Sequence, residues 1–587
     1  MCGISGCLLN RPLTDGDLAR LRAIGASLAH RGPDGEGEWM DKDAGVYLSH
    51  RRLSIIDLDA RAAQPMQRGS HVISFNGEIY NYPDLKDVLS SRCIFSTTSD
   101  TEVLINLWAE RGAAALDALD GMYAFALWDG VFLHLVTDPF GEKPLYLYQA
   151  PEGLYFASEP AGLIKAFSLT FAPTRDDQSA FMQLGFLLPP STGYLGLSSV
   201  APAQHVIASR DGLKHRTYWH PPKTKSTRGA IRPVSDSDVD YIRDVLCRSL
   251  ARRLHADVPL GLFLSGGVDS ALVASLAARE LGVSLHAYTV AFPDGKDESA
   301  YAARIARHLD LTHHIIDGRE DPDANDLPHA VCTIYGVPND NTTALPLRQM
   351  CRAAKPALTV ALSGLGGDEV FFGYNRYRTL WSRRYAYRYA RVIKYILSYA
   401  SPLCGRFGVW QDLLLGPASR QFLRLKNGPV QALLEGGYGL CQGVAIPEDT
   451  DLVFGVRDFD VSTVMPQSYI PPVDRASMRE GVEIRTPFLS REVWDAAAGI
   501  DPRAMIAFGP KNVTRRLLSR YLPLDLLYPA KQGFTMPMEK YFSQDDFLNQ
   551  ADSVSQDIWG QRRHKDYATS ALRLKIWDAF LSDRGEL

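Results

Sequence analysis

The chain opens Met-Cys-Gly-Ile, and Cys2 is the first residue whose type and position could do chemistry. Cysteine is small enough to allow removal of the initiator Met, which would leave a free α-amine on Cys2. Such an amine has a pKa of about 7.7–8.0 and can act as base toward its own side chain. A thiol of pKa about 8.5 then needs little help to become a nucleophile. One residue would supply both nucleophile and base. Cys7 lacks that arrangement and reads as a buried strand residue.

A second candidate lies mid-chain. Leu264-Ser265-Gly266-Gly267-Val268-Asp269-Ser270 follows a buried apolar run and opens a helical pattern. Glycines let backbone N–H groups approach phosphate oxygens, and a helix N-terminus favours anions. The string is not a Walker loop, whose second glycine is followed by Lys and Ser or Thr. A later loop, Ser363-Gly364-Leu365-Gly366-Gly367-Asp368-Glu369, also follows an apolar run. Asp269 and Asp368 carry the oxygen ligands that Mg²⁺ prefers. Lys511, in Gly509-Pro510-Lys511, reads from the residue alone as a surface lysine at a helix start.

The elements that must position these residues differ between the two halves. Residues 1–215 read as β-rich, with apolar runs ending in turn signals at Asn76-Gly77 and Asp138-Pro139. Helical patterns interrupt them near 15–30 and 100–111. Residues 216–238 are polar and Pro-containing and read as a linker. From 239 to 587 strands and helices alternate: helix 239–254, strand 258–264, helix to about 281, strand 285–292, helix 298–309, strand 312–316, helix 344–354 and strand 357–362. That order predicts a parallel sheet with helices on both faces, with both Gly-rich loops at its carboxyl edge. Residues 379–464 read as mainly helical.

Composition bounds the function. The 587 residues carry 63 Lys+Arg against 67 Asp+Glu, a formal charge of −4, and are 46% hydrophobic and 22% charged. These values exclude wholesale disorder and give no electrostatic footprint for nucleic acid or anionic membrane, so small-molecule partners are expected. Eight cysteines without a CxxC pair predict a reduced, cytoplasmic compartment. The longest apolar candidate, 392–402, contains Lys394 and reads as a core helix, and no signal peptide is expected at the N-terminus.

Cys2 is accompanied by His30-Arg31-Gly32-Pro33-Asp34-Gly35, Arg52-Leu53-Ser54-Ile55, Phe75-Asn76-Gly77-Glu78-Ile79-Tyr80-Asn81 and Ser99-Asp100-Thr101-Glu102. Together these resemble the class II glutamine amidotransferases, N-terminal-nucleophile hydrolases of two stacked β-sheets between helices. The resemblance implies that Cys2 attacks the glutamine amide to form a thioester and release ammonia. It assigns the oxyanion hole to Asn76 and Gly77, and glutamine binding to Arg52, Asn76, Gly77, Glu78 and Asp100. Arg52 would grip the α-carboxylate and Asp100 the α-ammonium.

The loop at 264–270 resembles the pyrophosphate loop of ATP pyrophosphatases. That likeness implies ATP contacts from Leu264, Ser265, Gly266, Gly267, Asp269, Ser270, Val290, Ser363 and Gly364. It also implies Mg²⁺ at Asp269 and Asp368, with Lys511 neutralising phosphate charge. The two halves together resemble the glutamine-hydrolysing asparagine synthetase family. The match extends through Asp138-Pro139-Phe140-Gly141-Glu142-Lys143-Pro144-Leu145-Tyr146, Ala157-Ser158-Glu159, Val473-Asp474-Arg475-Ala476-Ser477-Met478, Val482-Glu483-Ile484-Arg485-Thr486-Pro487-Phe488-Leu489 and Lys531-Gln532-Gly533-Phe534. It implies adenylation of a carboxylate, attack by ammonia that crosses from the first site, and a homodimeric arrangement.

Some positions depart from the family pattern. Leu365 stands where an acid is usual, Pro472 where a lysine is common, Ser490 for Asp and Thr137 for Arg, and residues 336–343 are less acidic. Aspartate is the acceptor the resemblance implies. Two alternatives stand beside it: amidation of another carboxylate, and a glutaminase with a non-catalytic ATP-binding module.

Overall fold

The computed structural model describes residues 2–224, 229–291, 298–317, 326–385, 451–527 and 567–582. The expected helix at 392–402, Cys404, Cys441, the Lys531-Gln532-Gly533-Phe534 string and most of the 379–464 stretch lie outside the described residues.

The N-terminal half builds two six-stranded antiparallel sheets. Gly3–Leu9 is buried along its whole length because it lies inside the first sheet, paired with Val46–Arg52 on one side and Gly153–Ala157 on the other. In the second sheet His71–Ile79 pairs with Gly121–Trp128, which places Asn76 opposite Ala124 and Gly77 opposite Tyr123. The sheets face each other across an apolar layer. Ile4, Leu8 and Leu48 contribute from one side, Val72, Ala126 and Leu135 from the other. Alternation along each strand sends successive side chains to opposite faces, so the same strands also pack against helices. Asp15–Ser27 begins at a Thr14 capping box, and Asp100–Arg111 begins at Ser99, whose side chain accepts from the Thr101 N–H.

The C-terminal half holds a parallel sheet of five strands: Thr312–Asp317, His286–Ala291, Leu260–Phe263, Val360–Leu362 and Glu483–Arg485, in that spatial order. Parallel strands need crossovers, and the helices Val268–Ser275, Ser299–His308 and Ala344–Ala354 supply them. Four strands follow the alternation legible in the sequence. The fifth, Glu483–Arg485, is three residues long, too short for periodicity to announce. The helix expected to run to about 281 is α-helical only over Val268–Ser275 and continues as a π turn over Leu276–Glu280.

Two residues near the start of the stretch between the halves are hydrogen-bonded to the rest of the chain. Tyr218 Oη donates to the Thr137 carbonyl at 2.6 Å, and Thr224 Oγ1 donates to Asp458 at 2.8 Å. Among the described residues no helix is long and apolar enough to cross a membrane.

Candidate functional site

Cys2 immediately precedes Gly3–Leu9, an interior strand of the first sheet, and is 7% exposed. Its backbone N–H donates to Asn76 Oδ1 at 2.9 Å, and its thiol points to the Leu53 carbonyl at 4.0 Å. Burial pushes the thiol pKa up, opposed in part by Arg52. A base close at hand is therefore needed to make a thiolate. Asn76 Nδ2 is buried and has no hydrogen-bond partner among the described residues, so the side chain that holds the Cys2 N–H keeps a donor to spare. Gly77 follows. A Cβ there would lie 2.1 Å from the Met122 carbonyl oxygen, so only glycine lets the two strands approach this closely.

The pocket beyond Cys2 is lined by Arg52, Gly77, Glu78, Asp100 and, from the C-terminal half, Glu483. Arg52 Nη1 donates to the Asp59 carbonyl at 3.0 Å and Nη2 donates to the Asp57 carbonyl, which aims the guanidinium. Asp100 opens its helix inside the pocket, where Oδ2 accepts from the Ile79 N–H at 3.0 Å. Burial raises its carboxyl to about 6. Glu78 is raised further, by burial and then by Asp100. An arginine, an acid and a thiol lining one pocket suit a zwitterionic amino acid carrying a side-chain carbonyl.

The second set gathers at the carboxyl edge of the parallel sheet. Ser265 to Ser270 wrap tightly: Ser270 Oγ donates to the Ser265 carbonyl at 2.9 Å. The Gly266 N–H donates to a Glu298 carboxylate oxygen at 3.1 Å, so this loop already presents a donor to an anionic group. Leu264 is tied by its N–H to the Tyr288 carbonyl at 2.9 Å, and Val290 lies near the end of the neighbouring strand. The later loop packs directly on the first. A Cβ on Gly364 would meet the Ser270 nitrogen at 2.6 Å, and one on Gly367 would meet Asp269 Cγ at 2.5 Å. Ser363 caps the later loop through its hydroxyl, which accepts from the Leu365 N–H at 3.3 Å. Asp269 and Asp368 converge on one ammonium. Lys511 Nζ donates to Asp269, and lies 2.7 Å from Asp368 Oδ1. Far from being a surface lysine, Lys511 is 7% exposed. Two carboxylates that already converge on a cation, beside loops shaped for phosphate, form a donor set that fits Mg²⁺ with a nucleotide.

Sequence reasoning assigned no role to the residues that join the two sets. Arg31 is fully buried. Its Nε donates to the Cys2 carbonyl at 3.0 Å, and its Nη atoms donate to Glu159 and to both carboxylate oxygens of Asp474. Arg485 is equally buried. Its carbonyl accepts from the Ser363 N–H at 2.9 Å, while its Nη2 donates to Glu78 at 3.4 Å. One residue thus touches an acid of the first pocket and the later Gly-rich loop. The strings containing Asp474 and Arg485 were visible in the sequence, but their partners lie hundreds of positions away and no local spacing could name them.

Comparisons with known proteins match the two halves to two family models. The asparagine synthase family model matches residues 241–579, and the glutamine amidotransferase domain model matches residues 1–219. The chain belongs to the asparagine synthase family. Among curated relatives of this asparagine synthase family member, glutamine-hydrolysing asparagine synthetase 1 of Bacillus subtilis is 29% identical, over 97% of this chain and 93% of its own. A putative glutamine-hydrolysing asparagine synthetase of Mycobacterium tuberculosis is 30% identical, over 89% of this chain and 85% of its own. Asparagine synthetase 3 of Bacillus subtilis is 26% identical over 91% and 87%. As a member of the asparagine synthase family with an amidotransferase domain, the chain is an ATP-dependent carbon–nitrogen ligase that draws its nitrogen from glutamine.

Proposed function

We propose that this ligase converts aspartate to asparagine, with Cys2 as the glutaminase nucleophile and the Asp269–Asp368–Lys511 cluster as the adenylation centre. The observation that carries the reading is that cluster: two acids and a buried lysine from three separate segments meet under two Gly-rich loops. The curated relatives that the chain spans nearly end to end carry the name asparagine synthetase.

In the first pocket Arg52 and Asp100 hold the glutamine α-groups, and Cys2 Sγ attacks the side-chain amide carbon. The oxygen gathers negative charge, which the Asn76 Nδ2–H and the Gly77 N–H stabilise only in the transition state. The Cys2 α-amine takes the thiol proton and passes it to the amide nitrogen, the C–N bond breaks and ammonia leaves, and water later frees glutamate from the thioester.

In the second pocket the backbone donors of residues 265–270 bind the nucleotide phosphates. Mg²⁺, held by Asp269 and Asp368, would screen phosphate charge. Lys511 offsets charge on the departing pyrophosphate. The acceptor carboxylate attacks the α-phosphorus, and ammonia then displaces AMP. Free ammonia is mostly ammonium at neutral pH, so passage inside the protein keeps the nucleophile unprotonated. The cytoplasm as compartment is supported by six free thiols among the described residues, and a homodimer by the family resemblance.

The test is incubation with glutamine, ATP, Mg²⁺ and aspartate, followed by mass spectrometry of asparagine and AMP. Expected is asparagine with equimolar AMP, lost in Cys2→Ala and restored by ammonium. Glutamate released without AMP or asparagine sinks aspartate as the acceptor and turns the search to other carboxylates.

A further inference from the structure

Lys511 sits on unusual backbone. It adopts φ of +55° in the left-handed region, which a residue with a side chain occupies only when its surroundings hold it there. What holds it is the pair of carboxylates on its ammonium. Gly373 completes the seat. A Cβ on Gly373 would lie 1.9 Å from Asp368 Oδ1 and 2.2 Å from Lys511 Cε, so the bridge closes only because that residue has no side chain.

The charges make the seat selective. Asp269 and Asp368 both lie against the Lys511 ammonium. A divalent cation entering while the ammonium stays would set two positive centres against the same oxygens. Like charges at that separation repel strongly in a buried site. The ammonium can leave only if another anion receives it, because a buried, unpaired lysine is costly. Nucleotide phosphates are that anion.

We propose that Lys511 occupies the seat of the divalent cation and so excludes the bare ion, making cation binding conditional on a polyphosphate that draws the ammonium away. The inference rests on the reading of Asp269 and Asp368 as the cation-binding pair. It assigns Lys511 a binding role separate from any effect on phosphate charge during reaction. It also identifies Gly373 as a positioning residue, since it touches the bridge and not the substrate.

The test is Mn²⁺ binding to the full-length protein, read by the electron paramagnetic resonance signal of free Mn²⁺, with no nucleotide present. Lys511→Met should bind Mn²⁺ at least about tenfold more tightly than the wild type, whereas Lys511→Arg should match the wild type. Gly373→Ala, which retains the lysine but splays the bridge, should shift affinity in the same direction as Lys511→Met and serves if that variant does not fold. Adding α,β-methylene-ATP to the wild type should raise Mn²⁺ retention beyond that of the nucleotide alone. Equal Mn²⁺ affinity in wild type, Lys511→Met and Gly373→Ala, with nucleotide still enhancing retention, overturns the exclusion while leaving the cation pair standing. Failure of nucleotide to enhance retention in the wild type, with no Mn²⁺ bound by either variant, removes the cation pair itself, and the inference with it.

Discussion

Asp474 grips Arg31 from 443 positions away, its two carboxylate oxygens accepting from the Arg31 guanidinium at 2.8 and 2.9 Å. Both side chains are almost wholly buried, and the same guanidinium holds the Cys2 carbonyl. Lys143 stands 3.6 Å from Asp474, and Arg475 3.3 Å from Glu159, which also accepts from Arg31. The Cys2 end of the first pocket is therefore fixed, through one arginine, to a helix of the C-terminal half. Arg31 holds the Asp474 carboxyl below its ordinary range despite burial, with Lys143 adding to the effect.

Asp474→Asn leaves a buried guanidinium short of one charge partner. Loss of one member of a buried pair costs about 3 kcal/mol or more. The variant should unfold at lower denaturant concentration. Glutamate release should exceed amide product, because the Cys2 end of the first pocket loses its tie to the other half. Thermal or urea melts and a glutamate-to-AMP ratio check both outcomes; a wild-type ratio with lowered stability would confine the pair to a structural role.

Asn76→Ala removes the buried donor beside Cys2. If that donor meets charge on the amide oxygen, kcat for glutamine hydrolysis should fall by about 10²–10³ with KM little changed. Activity with ammonium should persist. A large rise in KM alone would instead make Asn76 a ground-state binding group.

The pH profile should expose Asp100. Burial raises its carboxyl to about 6, so the free pocket carries the anion above that pH and the neutral acid below it. In the proposed pocket, the glutamine α-ammonium needs the anion. Accordingly, kcat/KM for glutamine should decline as pH falls through about 6, approaching tenfold per unit below it. Asp100→Asn should lower the plateau and remove that limb. Ammonium-dependent synthesis, compared at equal free ammonia, should not share it.

Gly367→Ala should separate the two half-reactions. The added methyl would meet Asp269 Cγ at 2.5 Å, against a carboxylate clamped to Lys511. AMP formation should drop at least about a hundredfold, while glutamate release with glutamine alone stays within about twofold of wild type. A matched fall in both would mean that the loop also shapes the distant pocket.

The local devices were legible along the chain because each depends on neighbours in sequence. Thr14 and Ser99 cap helices through residues two or three positions on, and Gly266–Gly267 turn a strand into a helix within one loop. Alternating strand and helix lengths likewise announced the parallel sheet, and the Cys2, Asn76 and Asp269 strings announced the chemistry. What the chain alone left undecided was everything built from distant partners. The strand Glu483–Arg485 is too short to carry a period, and exists because it pairs with Val360–Leu362. Lys511 read as a surface residue and is buried because Asp269 and Asp368, more than 140 positions upstream, compensate its charge. Arg31 and Asp474 look like ordinary polar residues until folding removes water from both, and burial then makes each necessary to the other. Local propensity is written in short spacings, whereas the cost of an unpaired buried charge is set by the whole fold.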